Sequence, residues 1–231
     1  MAKFGATSSA PGEISPDRAE TVVLATSQPL DCVPSSSDVR ISQRQRSTRV
    51  TPLEIPAVFS ADECRGIIAA ALAGNFRDAG LVGGSRDTNT RRSRIFWLDD
   101  EGESAPTFRR LFDTVADANR RHFDFRLEEF AERMQVAWYG AEPGGFFDWH
   151  VDFGDGPVAR RRKLTVVVQL SEGASYEGGD LETNADGIVR KASRAIGSAL
   201  MMPSFVLHRV APVTRGERYS LTLWSHGPAF R

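Results

Sequence analysis

Gln135-Val-Ala-Trp-Tyr139, then Phe146-Phe-Asp-Trp-His150, then Lys163-Leu-Thr-Val-Val-Val-Gln-Leu170: this succession decides the fold. Each run is rich in β-branched and aromatic residues, and Gly, Pro and Asp turns separate them. Residues 179–182, 199–202 and 218–224 continue the pattern. Upstream the texture is helical. Ser60-Ala-Asp-Glu63 is a capping box ahead of Cys64-Arg-Gly-Ile-Ile-Ala-Ala-Ala-Leu72, which predicts a helix ending around Gly74. Arg94-Ile-Phe-Trp-Leu98 predicts a strand, followed by a polar turn over 99–104. A second helix is expected from about Pro106 to His122, with Phe108, Leu111, Phe112, Val115 and Ala118 on one stripe. A short helical piece is expected over 127–133. Helices first and many short strands after predict an α+β protein whose core is a β-sandwich or barrel.

Apolar residues make up 41% of the 231 residues and charged residues 26%, enough for one domain with a sizeable core. A net charge of −1 gives no global attraction to nucleic acid or to an anionic membrane. No stretch of about 18 apolar residues occurs, so no membrane partner is expected. The start of the chain lacks a basic segment followed by a sustained apolar stretch, and the two cysteines, Cys32 and Cys64, have no metal-type spacing. A cytoplasmic protein without disulfides is expected. Residues 1–48 are rich in Ser, Ala, Pro, Asp and Arg, with one apolar patch at 22–25, and are expected to form a flexible N-terminal arm ahead of a domain spanning 49–231. Two basic clusters, Arg91, Arg92 and Arg94, and Arg160 to Lys163, suit a solvated face or a cationic rim for an acidic substrate.

The chemistry starts at His150-Val-Asp152. Residues i and i+2 of a strand project from one face, so an imidazole nitrogen and a carboxylate oxygen lie side by side. A third ligand would come from a distant strand, and the later histidines are His208 and His226. His208 sits in the apolar stretch Met202-Pro-Ser-Phe-Val-Leu-His208-Arg-Val, where an unpaired imidazole is costly; His226, near the C-terminus, is expected at the surface. Two histidines and one carboxylate leave three octahedral positions open, which suits non-haem Fe(II). Ten residues after His208 comes the alternating strand Arg218-Tyr-Ser-Leu-Thr-Leu-Trp224. Arg218 and Ser220 share a face, and a guanidinium fork beside a hydroxyl is a receptor for a carboxylate.

With these motifs the sequence resembles the Fe(II)/2-oxoglutarate-dependent dioxygenase superfamily, in particular its prolyl 4-hydroxylase-like branch. The resemblance covers about residues 50–231 and is strongest over 134–231, where Tyr139-Gly140, Tyr176-Glu-Gly-Gly-Asp-Leu181 and Gly197-Ser-Ala-Leu-Met-Met-Pro-Ser204 surround the motifs. It implies a double-stranded β-helix, a jelly roll with N-terminal helices packed on its outside. It implies catalytic metal ligands at His150, Asp152 and His208, with Fe(II), 2-oxoglutarate and O2 as cofactor and cosubstrates and ascorbate as a stimulant. Arg218 would bind the far carboxylate of 2-oxoglutarate, with Ser220, Tyr139, Gln169 and Thr165 around it. Several relatives carry a tyrosine where this chain has Gln169, so that contact differs here. Arg94, Trp97 and Trp224 would reach the substrate, although Trp149 and Trp224 also suit packing. Tyr139 fits a core tyrosine or a cosubstrate ligand equally well.

The activity so implied is hydroxylation of an unactivated C–H of an amino acid, a peptidyl residue or a natural-product intermediate, with release of succinate and carbon dioxide. A jelly-roll binding module without catalysis is the alternative from another class. It predicts loss of a ligand or of the arginine, and all four positions are filled. A zinc hydrolase would need a general base beside the ligands.

Overall fold

The computed structural model describes residues 50–74, 77–78 (backbone only) and 89–230. The expected arm over 1–48, with its apolar patch at 22–25 and Cys32, lies outside these residues. In chain order the elements are β1 (Leu53–Ile55), α1 (Ala61–Ala73), β2 (Arg77–Asp78), β3 (Arg91–Arg92), β4 (Arg94–Leu98) and α2 (Ala105–Ala118), the last continued by one π-helical turn, Asn119–Phe123. Then come β5 (Met134–Gly140), β6 (Phe146–His150), β7 (Arg162–Gln169), β8 (Glu177–Gly178), β9 (Leu181–Asn184), β10 (Arg190–Lys191), β11 (Ala199–Pro203), β12 (Leu207–Val210), β13 (Val213–Arg215) and β14 (Glu217–His226).

Among the described residues the strands form a seven-stranded sheet, β1-β11-β7-β14-β5-β4-β2, a five-stranded sheet, β10-β9-β12-β6-β3, and a short β13-β8 ribbon, all pairings antiparallel. The architecture is the α+β double-stranded β-helix with outer helices expected from the sequence. The reason is visible in β7, where every residue is buried. Leu164, Val166 and Val168 pack with Cys64, Ile67 and Ala71 of α1 and Leu111 and Val115 of α2 in one apolar cluster. Val167 belongs to a second cluster with Leu181, Met202, Val206 and Val210, between the sheets. A strand covered on both faces reads as a continuous apolar run, as Lys163–Leu170 does.

Helix α1 starts as its capping box predicts: Glu63 N donates to Ser60 Oγ (3.2 Å) and Ser60 N donates to Glu63 Oε2 (2.8 Å). Two expectations fail. Residues 127–133 are not helical, because Glu128 N donates to the His226 carbonyl (2.8 Å) and His226 N donates to that of Glu129 (2.8 Å); this backbone is held as an extra edge of β14. Residues 179–182 are not one strand: β8 ends at Gly178 (φ +69°), and Gly179 (φ +62°) and Asp180 separate it from β9. A Cβ at Gly178 would lie 2.1 Å from the Pro212 carbonyl oxygen, so this turn requires glycine. Among the described residues no helix is long and apolar enough to cross a membrane.

Candidate metal and cosubstrate site

β6 and β12 run side by side, with His150 and His208 as direct partners. A bulge follows, so that Val210 pairs with Phe147 instead of Asp148. The bulge puts Phe147 on the face of His150, where the rings stack 3.4 Å apart at 13°. β6 ends at His150, and Asp152 lies just past it, not on the strand as its spacing suggested. Its position is set instead by the Ser204 carbonyl, which accepts from both Asp152 N and Phe153 N at 2.9 Å. The result is the expected cluster: donor atoms of His150, Asp152 and His208 all lie within 4.8 Å of one another.

The electronic state of each donor follows from its neighbours. Nδ1 of His150 lies 2.7 Å from the Asp148 carbonyl, and Nδ1 of His208 lies 2.9 Å from that of Val206. A carbonyl only accepts, so Nδ1 carries the proton in both rings and the Nε2 lone pairs are free to bind metal. They face the Asp152 carboxylate at 3.7 and 3.6 Å. Burial, reinforced by repulsion from His208, pushes His150 down to about 3, which keeps it neutral. Burial would raise the Asp152 carboxyl, but His208, His150, the Trp224 indole and Arg162 outweigh it and hold it at about 2. Asp152 Oδ2 accepts from Thr165 Oγ1 (2.8 Å) and Trp224 Nε1 (3.0 Å), leaving Oδ1 towards His150. Thr165 and Trp224 were expected at the cosubstrate and the substrate. Their polar groups are instead committed to orienting this carboxylate.

The triad opens into a cavity of about 530 Å³, within the range of roughly 300–1,000 Å³ typical of ligand pockets. Tyr139, Val167, Ser220, Trp97 and Arg91 are among its lining residues. Trp97, expected to reach the substrate, has its ring 6.3 Å from that of Trp224. Arg94 does not: it is exposed on the far side of β4, with its guanidinium 5.3 Å from the Trp138 ring, and lines a separate cleft. Its neighbour Arg91 faces the cavity instead. It is buried, donating to Ser93 Oγ (2.7 Å) and Gln135 Oε1 (3.0 Å), with its guanidinium 4.5 Å over Phe147.

Arg218, directly opposite Tyr139 in the ladder, is 2% exposed, yet its Nε and Nη1 have no hydrogen-bond partner. A buried guanidinium lacking an acceptor is costly. That is the state a carboxylate ligand would relieve. Gln169 is turned away from the main cavity, its amide donating to the Ser171 carbonyl and the Tyr176 hydroxyl.

Three functional groups escaped the sequence reading. His226 is fully buried, not at the surface. Ala131 N donates to its Nδ1 (3.2 Å), so its Nε2–H donates to Glu132 Oε2 (3.0 Å). Glu132 in turn forms a two-point pair with Arg162 (2.6 and 2.5 Å), and Arg162 Nη1 donates to the Asp152 carbonyl (2.9 Å). Arg162, read as part of a solvated basic cluster, thus ties a buried charge pair to a triad residue. Burial alone would raise the Glu132 carboxyl, but the bonds from Arg162 and His226 hold it below its ordinary 4.5. A depressed carboxyl stabilises the fold above that value, and the contribution is lost as pH falls below it. Thermal melts of the wild type should therefore lose stability as pH falls below about 4.5, and Glu132→Gln should lose less over that window. Equal slopes in the two proteins would show that Glu132 is not one of the groups responsible.

Two imidazoles that present Nε2 and one ionised carboxylate at the mouth of a double-stranded β-helix make up the donor set of a mononuclear metal oxygenase. Known proteins resemble this chain over the region that carries the site. Residues 134–226 match the model of the 2OG-Fe(II) oxygenase superfamily. A PKHD-type hydroxylase of Burkholderia thailandensis is 29% identical over 181 residues, covering 74% of this chain and 76% of the relative. A PKHD-type hydroxylase of Shewanella baltica is 28% identical over 178 residues, with the same coverage. The crystal structure of a Pseudomonas putida prolyl-4-hydroxylase matches with a TM-score of 0.62 at 26% identity, covering 78% of this chain and 94% of that one. A Trichoplax adhaerens prolyl hydroxylase, solved with a hypoxia inducible factor peptide fragment, has a TM-score of 0.63 at 20% identity over 76% and 83% of the chains, and supports the fold. Over residues 134–226 this chain is thus similar to the 2OG-Fe(II) oxygenase superfamily, and over about three quarters of its length to PKHD-type hydroxylases and a prolyl-4-hydroxylase.

Proposed function

We propose that the protein is an Fe(II)- and 2-oxoglutarate-dependent hydroxylase acting on an aliphatic C–H of an amino-acid residue. The observation that carries this reading is the pairing of a metal-ready triad with an unpartnered buried guanidinium at one end of the same fold. His150, Asp152 and His208 would hold Fe(II), which with 2-oxoglutarate and O2 supplies the oxidising power for C–H hydroxylation. The protein's own part is orientation and exclusion of water. Thr165 and Trp224 fix the Asp152 carboxylate, the Asp148 and Val206 carbonyls fix the imidazole tautomers, and Arg218 receives the far carboxylate of the cosubstrate. Arg91, Trp97 and the Arg162–Glu132 pair border the space left for substrate. The names of the relatives make a peptidyl proline the first candidate, with free amino acids and natural-product intermediates next.

We take the oxygenase domain to run over about 49–231, preceded by an arm, in a reducing cytoplasm. The test is succinate release with Fe(II), 2-oxoglutarate and ascorbate, run across proline-containing peptides, free amino acids and carrier-bound aminoacyl groups. Substrate-dependent succinate that disappears on chelation is expected. No succinate with any class, from protein that binds both Fe(II) and 2-oxoglutarate, would favour a binding module.

A further inference from the structure

Hydrogen-bond donors gather in a narrow cleft that adjoins the main cavity. Gln169 Nε2 donates to the Ser171 carbonyl (2.9 Å) and to the Tyr176 hydroxyl oxygen (3.1 Å). The carbonyl accepts only, so it fixes which amide atom is nitrogen, and both N–H bonds of that nitrogen are then used. Tyr176 is therefore the acceptor in its bond to Gln169, and its own O–H proton must point elsewhere. Its ring is 2% exposed, with the Arg194 guanidinium 4.7 Å over it. A Cβ at Gly179 would sit 3.2 Å from Tyr176 Cε2 and 3.3 Å from Arg218 Cδ, so the phenol edge and the arginine stem flank the same glycine. Gln169, Tyr176 and Arg218 line one narrow cleft, and Val167 and Leu181 line both that cleft and the main cavity. Arg218 adds two buried, unpartnered N–H groups. The one carboxylate lining this cleft, Glu54, is engaged by Ser193 N (2.9 Å), and a narrow cleft that sets a phenol O–H beside an unpartnered guanidinium suits an anion.

We propose that Tyr176, held by Gln169, is the neutral donor to the far carboxylate of 2-oxoglutarate in this protein. The proposal rests on the cosubstrate reading above and deepens it. The resemblance drawn from the sequence implies a tyrosine hydroxyl at the core-strand position of Gln169, and here the hydroxyl arrives from Tyr176, just before Gly178-Gly179, instead. Gln169 is a positioning residue; it orients the phenol and does not itself reach the anion.

The experiment is anaerobic calorimetry on the full chain loaded with Fe(II). It is titrated with 2-oxoglutarate and with 2-oxobutyrate, which keeps the metal-binding end and lacks the far carboxylate. Tyr176→Phe removes one oxygen from a buried ring, and should weaken 2-oxoglutarate binding roughly 10-fold, the loss expected for a hydrogen bond to a charged group. It should leave 2-oxobutyrate unchanged. Gln169→Leu should move 2-oxoglutarate in the same direction by less. If Tyr176→Phe binds 2-oxoglutarate as tightly as wild type, or weakens both ligands equally, the proposal is overturned. Wild-type protein that binds neither ligand would overturn the cosubstrate reading itself, and this proposal with it.

Discussion

Replacing Arg218 by alanine should raise the dissociation constant for 2-oxoglutarate by roughly 30-fold or more while leaving Fe(II) affinity in the absence of cosubstrate unchanged. The guanidinium is 2% exposed on β14, with its centre 5.7 Å from the Tyr139 ring. Its Nε and Nη1 have no acceptor within the protein. A carboxylate bound there would form a charge pair shielded from water, and truncating one partner of such a pair costs about 2–5 kcal/mol. At about 1.4 kcal/mol per decade, that is the quoted factor. Arg218→Lys should lose less, because the charge stays although the two-pronged geometry does not. The apo protein gives a second readout. Removing a buried, unsatisfied cation should leave the melting temperature of the ligand-free variant at or above that of wild type, whereas the stabilisation by added 2-oxoglutarate should shrink. Unchanged binding of 2-oxoglutarate by Arg218→Ala would remove the cosubstrate assignment.

How much of this was legible beforehand depends on how far each feature is local. The strand runs at 146–150 and 94–98 match β6 and β4 residue for residue, because half-buried and fully buried strands write themselves into residue type and alternation. The capping box was legible because all its partners lie within four residues. β12 was not read as a strand: only four residues long, it alternates exposed Leu207, buried His208, half-buried Arg209 and buried Val210 and takes its identity from β6 and β9. The same holds for polar groups. Arg91 and Arg162 look like surface charge in sequence, since nothing local says that Gln135 lies opposite one and Glu132 opposite the other. His226 did carry a signal. Arg218, Ser220, Thr222, Trp224 and His226 fall on alternate positions of β14, so a strand continuing past Trp224 would turn His226 inward. Thr165 was expected beside the cosubstrate, and its observed partner, a carboxylate thirteen residues earlier in a loop, is set by tertiary closure alone.

The site stands most directly on Asp152, and Asp152→Ala should abolish turnover while leaving a folded protein. The carboxylate contributes the one formal negative charge among the three donors, so its loss removes both a ligand atom and the charge that offsets a divalent cation. Losing a partner that merely orients a ligand typically costs roughly 10–100-fold in metal affinity, so losing the ligand itself should cost at least about 100-fold. The effect on folding should be small because two terms oppose each other. The substitution leaves the Trp224 indole N–H without its 3.0 Å acceptor, a cost of about 1–3 kcal/mol. It also relieves the burial of a carboxylate that only neighbouring histidines, Trp224 and Arg162 keep ionised. Thr165 retains Ser204 Oγ at 3.1 Å as a partner. Asp152→Asn separates the contributions, since its carbonyl oxygen can still accept from Thr165 and Trp224 while the charge is gone. Fe(II) titrations of both variants should show the same collapse of affinity, and apo melting curves should place Asn closer to wild type than Ala. Either variant turning over substrate at the wild-type rate would mean that the metal, and with it the reaction, is held somewhere other than between β6 and β12.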